Sequence, residues 1–280
     1  MSRAALEKTT SGHPLSQEAL VSEAVRIAGE RATPEMSPDM KDELLEEVML
    51  ELVGKYVGHS WFSNIGRFAT GRSSDLRGTV LMHDEPRLPK MPEKPTLMDF
   101  LKKRALVNKR GGAHLLQSAA LAKKNGLPEK LILACLLHDI AVVCHVRSDH
   151  GYYGAQLVEP YVDEEAAFAI RYHQCLRFFP DPQNGYEYPD LYVRAFGKDY
   201  EPPAYIHEAY DYATKHKWYM SARLVTMNDL YSFDPNAFID VDDFTDIIGR
   251  NFKQPEEGLG FDNSPSAHMW RSMIWPNNFL

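Results

Sequence analysis

From residue 97 to about 178 the chain places apolar residues at helical spacing, segment after segment, and nowhere sustains the two-residue alternation that a sheet requires. LMDFLKKRALVNK comes first, opened by Thr96 and Asp99 in the T-x-x-D pattern of a capping box. AHLLQSAALAKK follows and stops at Asn125-Gly126, PEKLILACLLHDIA starts on Pro128, and two further helices are expected over 150–160 and 163–175. The proline- and tyrosine-rich stretch FFPDPQNGYEYPD interrupts the series, which resumes near 203–216 and 218–231. The expected fold class is all-α.

Ahead of this body, residues 15–32 and 37–57 read as amphipathic helices, the second opened by Ser37-Pro38 as cap and first-turn proline. The apolar stripe of that second helix suits either a homodimer contact or packing on the chain's own core. GHSWFSNIGRFATGRSSDLRG is rich in glycine, aromatics and arginine, and DEPRLPKMPEKP spaces its prolines so that only an extended arm over the surface fits. The expected organisation is an N-terminal helical extension and proline-rich arm (1–95), a helical domain (96–235), and a C-terminal extension packing on it (236–280).

Composition narrows the function classes. At 44% hydrophobic and 25% charged residues the chain can bury a full core without disulfides. A net charge of −8 lacks the basic footprint of a non-specific nucleic-acid binder, so no nucleic-acid partner is expected. Cys135, Cys144 and Cys175 are odd in number with no CxxC spacing and read as reduced thiols. MSRAALEKTTSGHP lacks the apolar core of a signal peptide, and no run approaches the ~18 apolar residues of a membrane span. A cytoplasmic protein with no membrane association is the expectation.

His138-Asp139 ends the apolar run LILACLLHDIA, where a buried carboxylate without a partner would be costly. Taken alone, the pair reads as a helix end bonded to a neighbour. It has company, however: His114 in AHLLQSAALA, His150 in HGYYGAQLV, His173 in AAFAIRYHQ and Asp229 in SARLVTMNDLYSF. Five helices thus each bring an imidazole or carboxylate among core-like residues, and a metal centre accounts for all of them together. Neutral imidazoles suit iron, zinc and manganese, while carboxylates balance two adjacent cations. One aspartate can bridge ions ~3.5–4 Å apart, and Asp139 is the bridging candidate.

The order H…HD…H…H…D resembles the HD-domain superfamily, and the two additional histidines in HGYYGA and YHQCLRFF look like its mixed-valent di-iron oxygenase branch. That branch includes myo-inositol oxygenase and the oxygenases that cleave hydroxylated phosphonates. The similarity spans roughly residues 110–235 and rests on spacings of 24 residues from His114 to His138, 23 from His150 to His173 and 56 from His173 to Asp229. The resemblance implies an HD-type helical bundle in which His114, His138, Asp139 and Asp229 hold one iron. His150, His173 and the shared Asp139 would hold the other. It further implies Fe(II)/Fe(III) chemistry with O2, abstracting hydrogen from a small hydroxylated, anionic substrate. The phosphonate group carries a lysine one turn after its last histidine ligand, and Arg177 stands at that offset here.

Two departures accompany the likeness. His138 and His150 are only 12 residues apart, and His145 competes with His150 for the ligand role. The lid residues of the phosphonate oxygenases have no counterpart in ALVNKRGG; Trp61, Arg67 and Arg72 are lid candidates, or else members of an irregular loop. Tyr153 and Tyr172 are candidate substrate contacts, or space-fillers. The alternative activity is an HD phosphohydrolase using manganese or zinc on a phosphomonoester or nucleotide. A non-catalytic HD-like scaffold is the third reading.

Overall fold

A computed structural model describes residues 17–37, 88–106, 109–143, 149–234 and 237–275, together with 40, 41, 44, 45, 48 and 52. Among these residues the regular structure is helical and no strand occurs. The helices are α1 (Gln17–Arg31), α2 (Leu97–Phe100), α3 (Lys109–Lys124), α4 (Glu129–Leu137), α5 (Ile140–Val143) and α6 (His150–Val158). They continue as α7 (Glu164–Leu176), α8 (Asp190–Phe196), α9 (Ala204–Lys215), α10 (Tyr219–Leu230), α11 (Thr245–Asn251) and α12 (Ala267–Ile274).

Local chemistry explains where these helices begin. The Thr96 hydroxyl accepts from the Asp99 N–H at 3.0 Å, and the Asp99 carboxylate accepts from the Thr96 N–H at 3.1 Å, closing the expected capping box. Ser37 likewise accepts from the Met40 N–H at 3.3 Å, ahead of the helical residues Met40, Lys41, Leu44, Leu45, Val48 and Leu52. α2 runs on into a wide π-turn, Leu101–Ala105, which turns Arg104 inward. Its guanidinium donates to the carbonyls of Pro89 at 2.8 Å and Ile274 at 2.7 Å, tying both flanking segments to the body. Residues 88–95 form neither helix nor strand and bury Leu88 and Met91.

Two helices differ from expectation. The run predicted over PEKLILACLLHDIA breaks at His138-Asp139, where a turn separates α4 from α5. That turn faces both side chains inward, which a continuous helix would splay about 100° apart. α8 forms just after the FFPDPQNGYEYPD stretch, ahead of the resumption expected near 203; Pro189 sits at its N-cap, where it costs no intrahelical hydrogen bond.

α4 is buried all round from Leu131 to Leu137, so it runs through the centre. α7 packs against α4, α6, α9 and α10. The main core takes Leu101, Leu115, Leu133, Leu157, Ile170, Ile247 and Trp270, so it draws on α12 as well as on the expected central body. A second cluster joins Ala24 and Ala28 of α1 to Leu45, Val48, Leu52 and Phe233. Those stripe residues are therefore covered from within the chain. None of the described helices is long and apolar enough to cross a membrane.

Candidate metal centre

Five elements converge at one buried point. α3 brings His114, the turn after α4 brings His138 and Asp139, α6 begins with His150, the last turn of α7 carries His173, and the last turn of α10 carries Asp229. All six side chains are buried. They form two donor groups, His114/His138/Asp139/Asp229 and Asp139/His150/His173, sharing Asp139. His145, the competitor for His150, lies outside the described residues.

Backbone carbonyls decide which ring nitrogens face the centre. Nδ1 of His114 lies 3.1 Å from the Ser232 oxygen, Nδ1 of His138 2.7 Å from Cys135, and Nδ1 of His173 2.6 Å from Ile170. A carbonyl only accepts, so each Nδ1 carries the hydrogen, and each ring, when neutral, aims the Nε2 lone pair inward. The Nε2 atoms of His114 and His138 stand 3.1 Å apart, and those of His150 and His173 3.2 Å. Asp229 Oδ1 is 3.0 Å from His114 Nε2 and 3.4 Å from His138 Nε2. Asp139 Oδ1 is 3.2 Å from His150 Nε2 and 3.6 Å from His173 Nε2, while its Oδ2 is 3.5 Å from His114 Nε2.

This is a concentration of lone pairs that needs positive charge. Asp139 Oδ1 is buried without a hydrogen-bond partner. Two nitrogen ligands ~2.1 Å from a common ion, at roughly a right angle, stand about 3 Å apart, the spacing seen in both imidazole pairs. The donor set could hold metal ions. Electrostatics agrees: burial opposes ionisation of Asp139, yet His138, His150 and His173 hold its carboxyl below the usual range. Asp229 is held well below it by His114 and His138, again against burial. Burial favours a neutral His138, but Asp139 and Asp229 outweigh it and raise the ring to about 9. His173, more governed by its burial, is lowered.

Gly151 lets α6 reach this position. A Cβ there would stand 2.9 Å from the carbonyl oxygens of Ile170 and Arg171 and 3.3 Å from the His173 ring. Only glycine permits that approach, which brings His150 and His173 together. The Gly151 N–H donates to the Gln174 side chain at 3.2 Å, so the residue after His173 satisfies an orphan donor of α6. Asp149 enters α6 in the left-handed region, φ 51°, a conformation aspartate adopts more readily than most residues. HGYYGA was legible as a ligand motif; its glycine carried the unread signal.

The other expected site residues are not among these donors. Arg177 is 1% exposed, with its guanidinium 5.5 and 5.6 Å from the ring centres of Phe178 and Tyr192. Tyr172 stacks on Tyr212 and lines a separate cavity of about 280 Å³ with Phe168, Arg171 and Trp218. Tyr153 is 43% exposed and meets Tyr152 edge-on. Trp61, Arg67 and Arg72 lie outside the described residues.

Fold and site together define a helical protein with a buried histidine–aspartate centre suited to metal. No protein-family model matches the chain. It is 33% identical, over a 73-residue alignment, to the (1-hydroxy-2-(trimethylamino)ethyl)phosphonate dioxygenase (glycine-betaine-forming) of Leisingera caerulea. That alignment covers 21% of this chain and 36% of the relative, so the chain spans little more than a third of the length of the curated protein it matches.

Proposed function

We propose that this chain is a dinuclear HD-type oxygenase that uses O2 and an Fe(II)/Fe(III) pair to cleave a small hydroxylated, anionic substrate, phosphonate-like or a carboxylate. The observation that carries this is the second donor group: Asp139, His150 and His173 make two imidazoles and one carboxylate. Two imidazoles and one carboxylate are the donor set of many non-haem iron oxygenases, whose iron would leave other positions to substrate and O2. The partial likeness to a phosphonate dioxygenase supports the same chemistry.

When bound, such an iron pair supplies the electrons for O2 activation and polarises substrate oxygens. The chain's own part is to hold and to orient. His114, His138 and Asp229 with Asp139 would hold one ion; His150 and His173 with Asp139 would hold the other. Carbonyl acceptors behind His114, His138 and His173 fix those rings and raise their basicity. Burial of all six donors keeps bulk water from competing for the centre. Arg177, one turn beyond His173, supplies the positive charge for the substrate's anionic group, which a guanidinium grips in two-point fashion.

Metal analysis with electron paramagnetic resonance tests this reading. Two irons per chain, a spin-coupled mixed-valent signal that shifts on adding a hydroxylated phosphonate, and O2 uptake are expected. Zinc or manganese, with phosphate released from a phosphomonoester or nucleotide and no O2 uptake, would assign a phosphohydrolase instead. His173→Ala should remove one ion and keep the other; retention of both would mean that the ligands are drawn wrongly.

A further inference from the structure

His114 is the donor on which the surrounding protein bears most directly. Its Nδ1–H donates to the Ser232 carbonyl at 3.1 Å, and the Phe233 ring lies flat on its imidazole, centres 4.4 Å apart and planes 13° from parallel. Both contacts come from one short segment, Ser232–Asp234, which follows the last turn of α10. What holds that segment is Gln117. Its Nε2–H donates to the Asp234 carbonyl at 2.8 Å, and its Oε1 accepts from the Asp234 N–H at 2.8 Å. Only one orientation of the amide satisfies both bonds, so the pairing is specific.

Gln117 stands three residues after His114 on the same helix, and residues at that spacing share a face. α3 therefore presents the ligand and, one turn on, the clamp that fixes the ligand's partner. The far end of the segment is anchored as well, since the Ser232 hydroxyl donates to the Asn228 carbonyl of α10. Asp229 lies beside Asn228, so the loop connects His114 to the carboxylate 3.0 Å from its Nε2.

We infer that Gln117 is a positioning residue for one of the two ions. It locks the Ser232–Asp234 segment, which sets the tautomer and the plane of His114, and so tunes the His114/His138/Asp229 group while leaving the His150/His173 group untouched. The inference rests on the two-ion reading above. Partners behind a metal-bound histidine matter to this degree: losing one typically weakens metal binding about 10–100-fold.

The test is a Co(II) titration of the full-length, metal-stripped chain, followed by calorimetry and visible absorption, with thermal unfolding of the metal-free form alongside. Wild type takes up two equivalents. Gln117→Met removes both bonds at similar volume; one equivalent weakens about 10–100-fold and its absorption band changes, while the other is unaffected. Gln117→Glu keeps the acceptor for the Asp234 N–H but, when ionised, not the donor to its carbonyl, so it weakens the same equivalent and leaves the other as in wild type. This second variant also serves if the first fails to fold. Gln117→Met binding both equivalents as wild type does would overturn the inference. So would equal weakening of both ions with Gln117→Glu the worse variant, the order that a packing role predicts. Wild-type protein that binds no Co(II) overturns the two-ion reading, and the inference with it.

Discussion

Without metal, the six buried donors must share protons, and His138 is where one settles. Its ring is raised to about 9 by Asp139 and Asp229 against the effect of burial, so it is charged at neutral pH. A proton on Nε2 points at the His114 lone pair 3.1 Å away and occupies the place of a cation. The sign follows. A histidine whose folded value exceeds its ordinary 6.5 contributes stability in full below that value, and loses it as pH rises through about 9. Metal binding requires the neutral ring, so loading at pH 7 should release about one proton from this group and weaken as pH falls. Calorimetry in buffers of differing ionisation enthalpy measures it; a proton count independent of pH between 6 and 9 would rule out His138 as the source. Gly151 belongs to the same scale. Gly151→Ala places a Cβ against two carbonyl oxygens that cannot yield without moving α7. A loss of roughly 1–3 kcal/mol in urea unfolding is expected, as for other overpacked sites. Lowered occupancy by the ion of the His150/His173 group should accompany it.

At the scale of elements, the helix carrying His173 is held at its C-terminal end by Arg223 of α10. Its guanidinium donates to the carbonyls of Leu176 at 2.8 Å and Phe179 at 3.1 Å, lies over the Tyr186 ring, and stands 3.6 Å from Asp181. Leu176 ends α7, and its carbonyl also accepts from the Phe179 N–H at 3.2 Å, so the guanidinium ties the helix end to the chain that leaves it. Arg223→Met should cost on the order of 3 kcal/mol, and Arg223→Lys should recover little, because an ammonium cannot reach two carbonyls in a fixed fork. Equal urea midpoints for Arg223→Lys and wild type would contradict the clamp. Elements were also what the sequence disclosed best. Thr96 and Asp99 announced α2 because a capping box is chemistry confined to four residues, and the six candidate ligands were visible because histidine and aspartate are conspicuous in apolar helices. Gly151, Gln117 and the orientation of Tyr172 were not legible in the same way. A glycine states only that something comes close, and a glutamine on a helix face does not reveal that a backbone 117 residues later will fold against it. The turn at His138-Asp139 escaped notice for a related reason: helical spacing continues through it in the sequence.

At the scale of the molecule, residues outside the central body belong to its core. Val241, Phe244, Ile248, Phe252, Leu259 and Trp270 share the main cluster with α4 and α7. Trp270 is fully buried, meets Phe100 edge-on at 5.1 Å, and donates its indole N–H to the Leu157 carbonyl at 2.9 Å; the Ser266 hydroxyl donates to the same oxygen at 3.0 Å. α12 is therefore fastened to the end of α6, the helix that His150 begins. Trp270→Ala removes a large ring from a packed interior and should cost about 3–5 kcal/mol. Trp270→Phe keeps most of the volume, and Leu157 keeps Ser266 as a donor, so a smaller loss of about 1–2 kcal/mol is expected there. Because Trp270 touches none of the six donors, metal stoichiometry should stay at the wild-type value in both variants under folding conditions. Urea unfolding monitored by far-ultraviolet circular dichroism, with metal content measured on the same samples, checks both halves. A wild-type unfolding midpoint for Trp270→Ala would show that residues beyond 236 sit on the body without supporting it. Loss of metal at unchanged stability would show instead that α12 reaches the centre through α6.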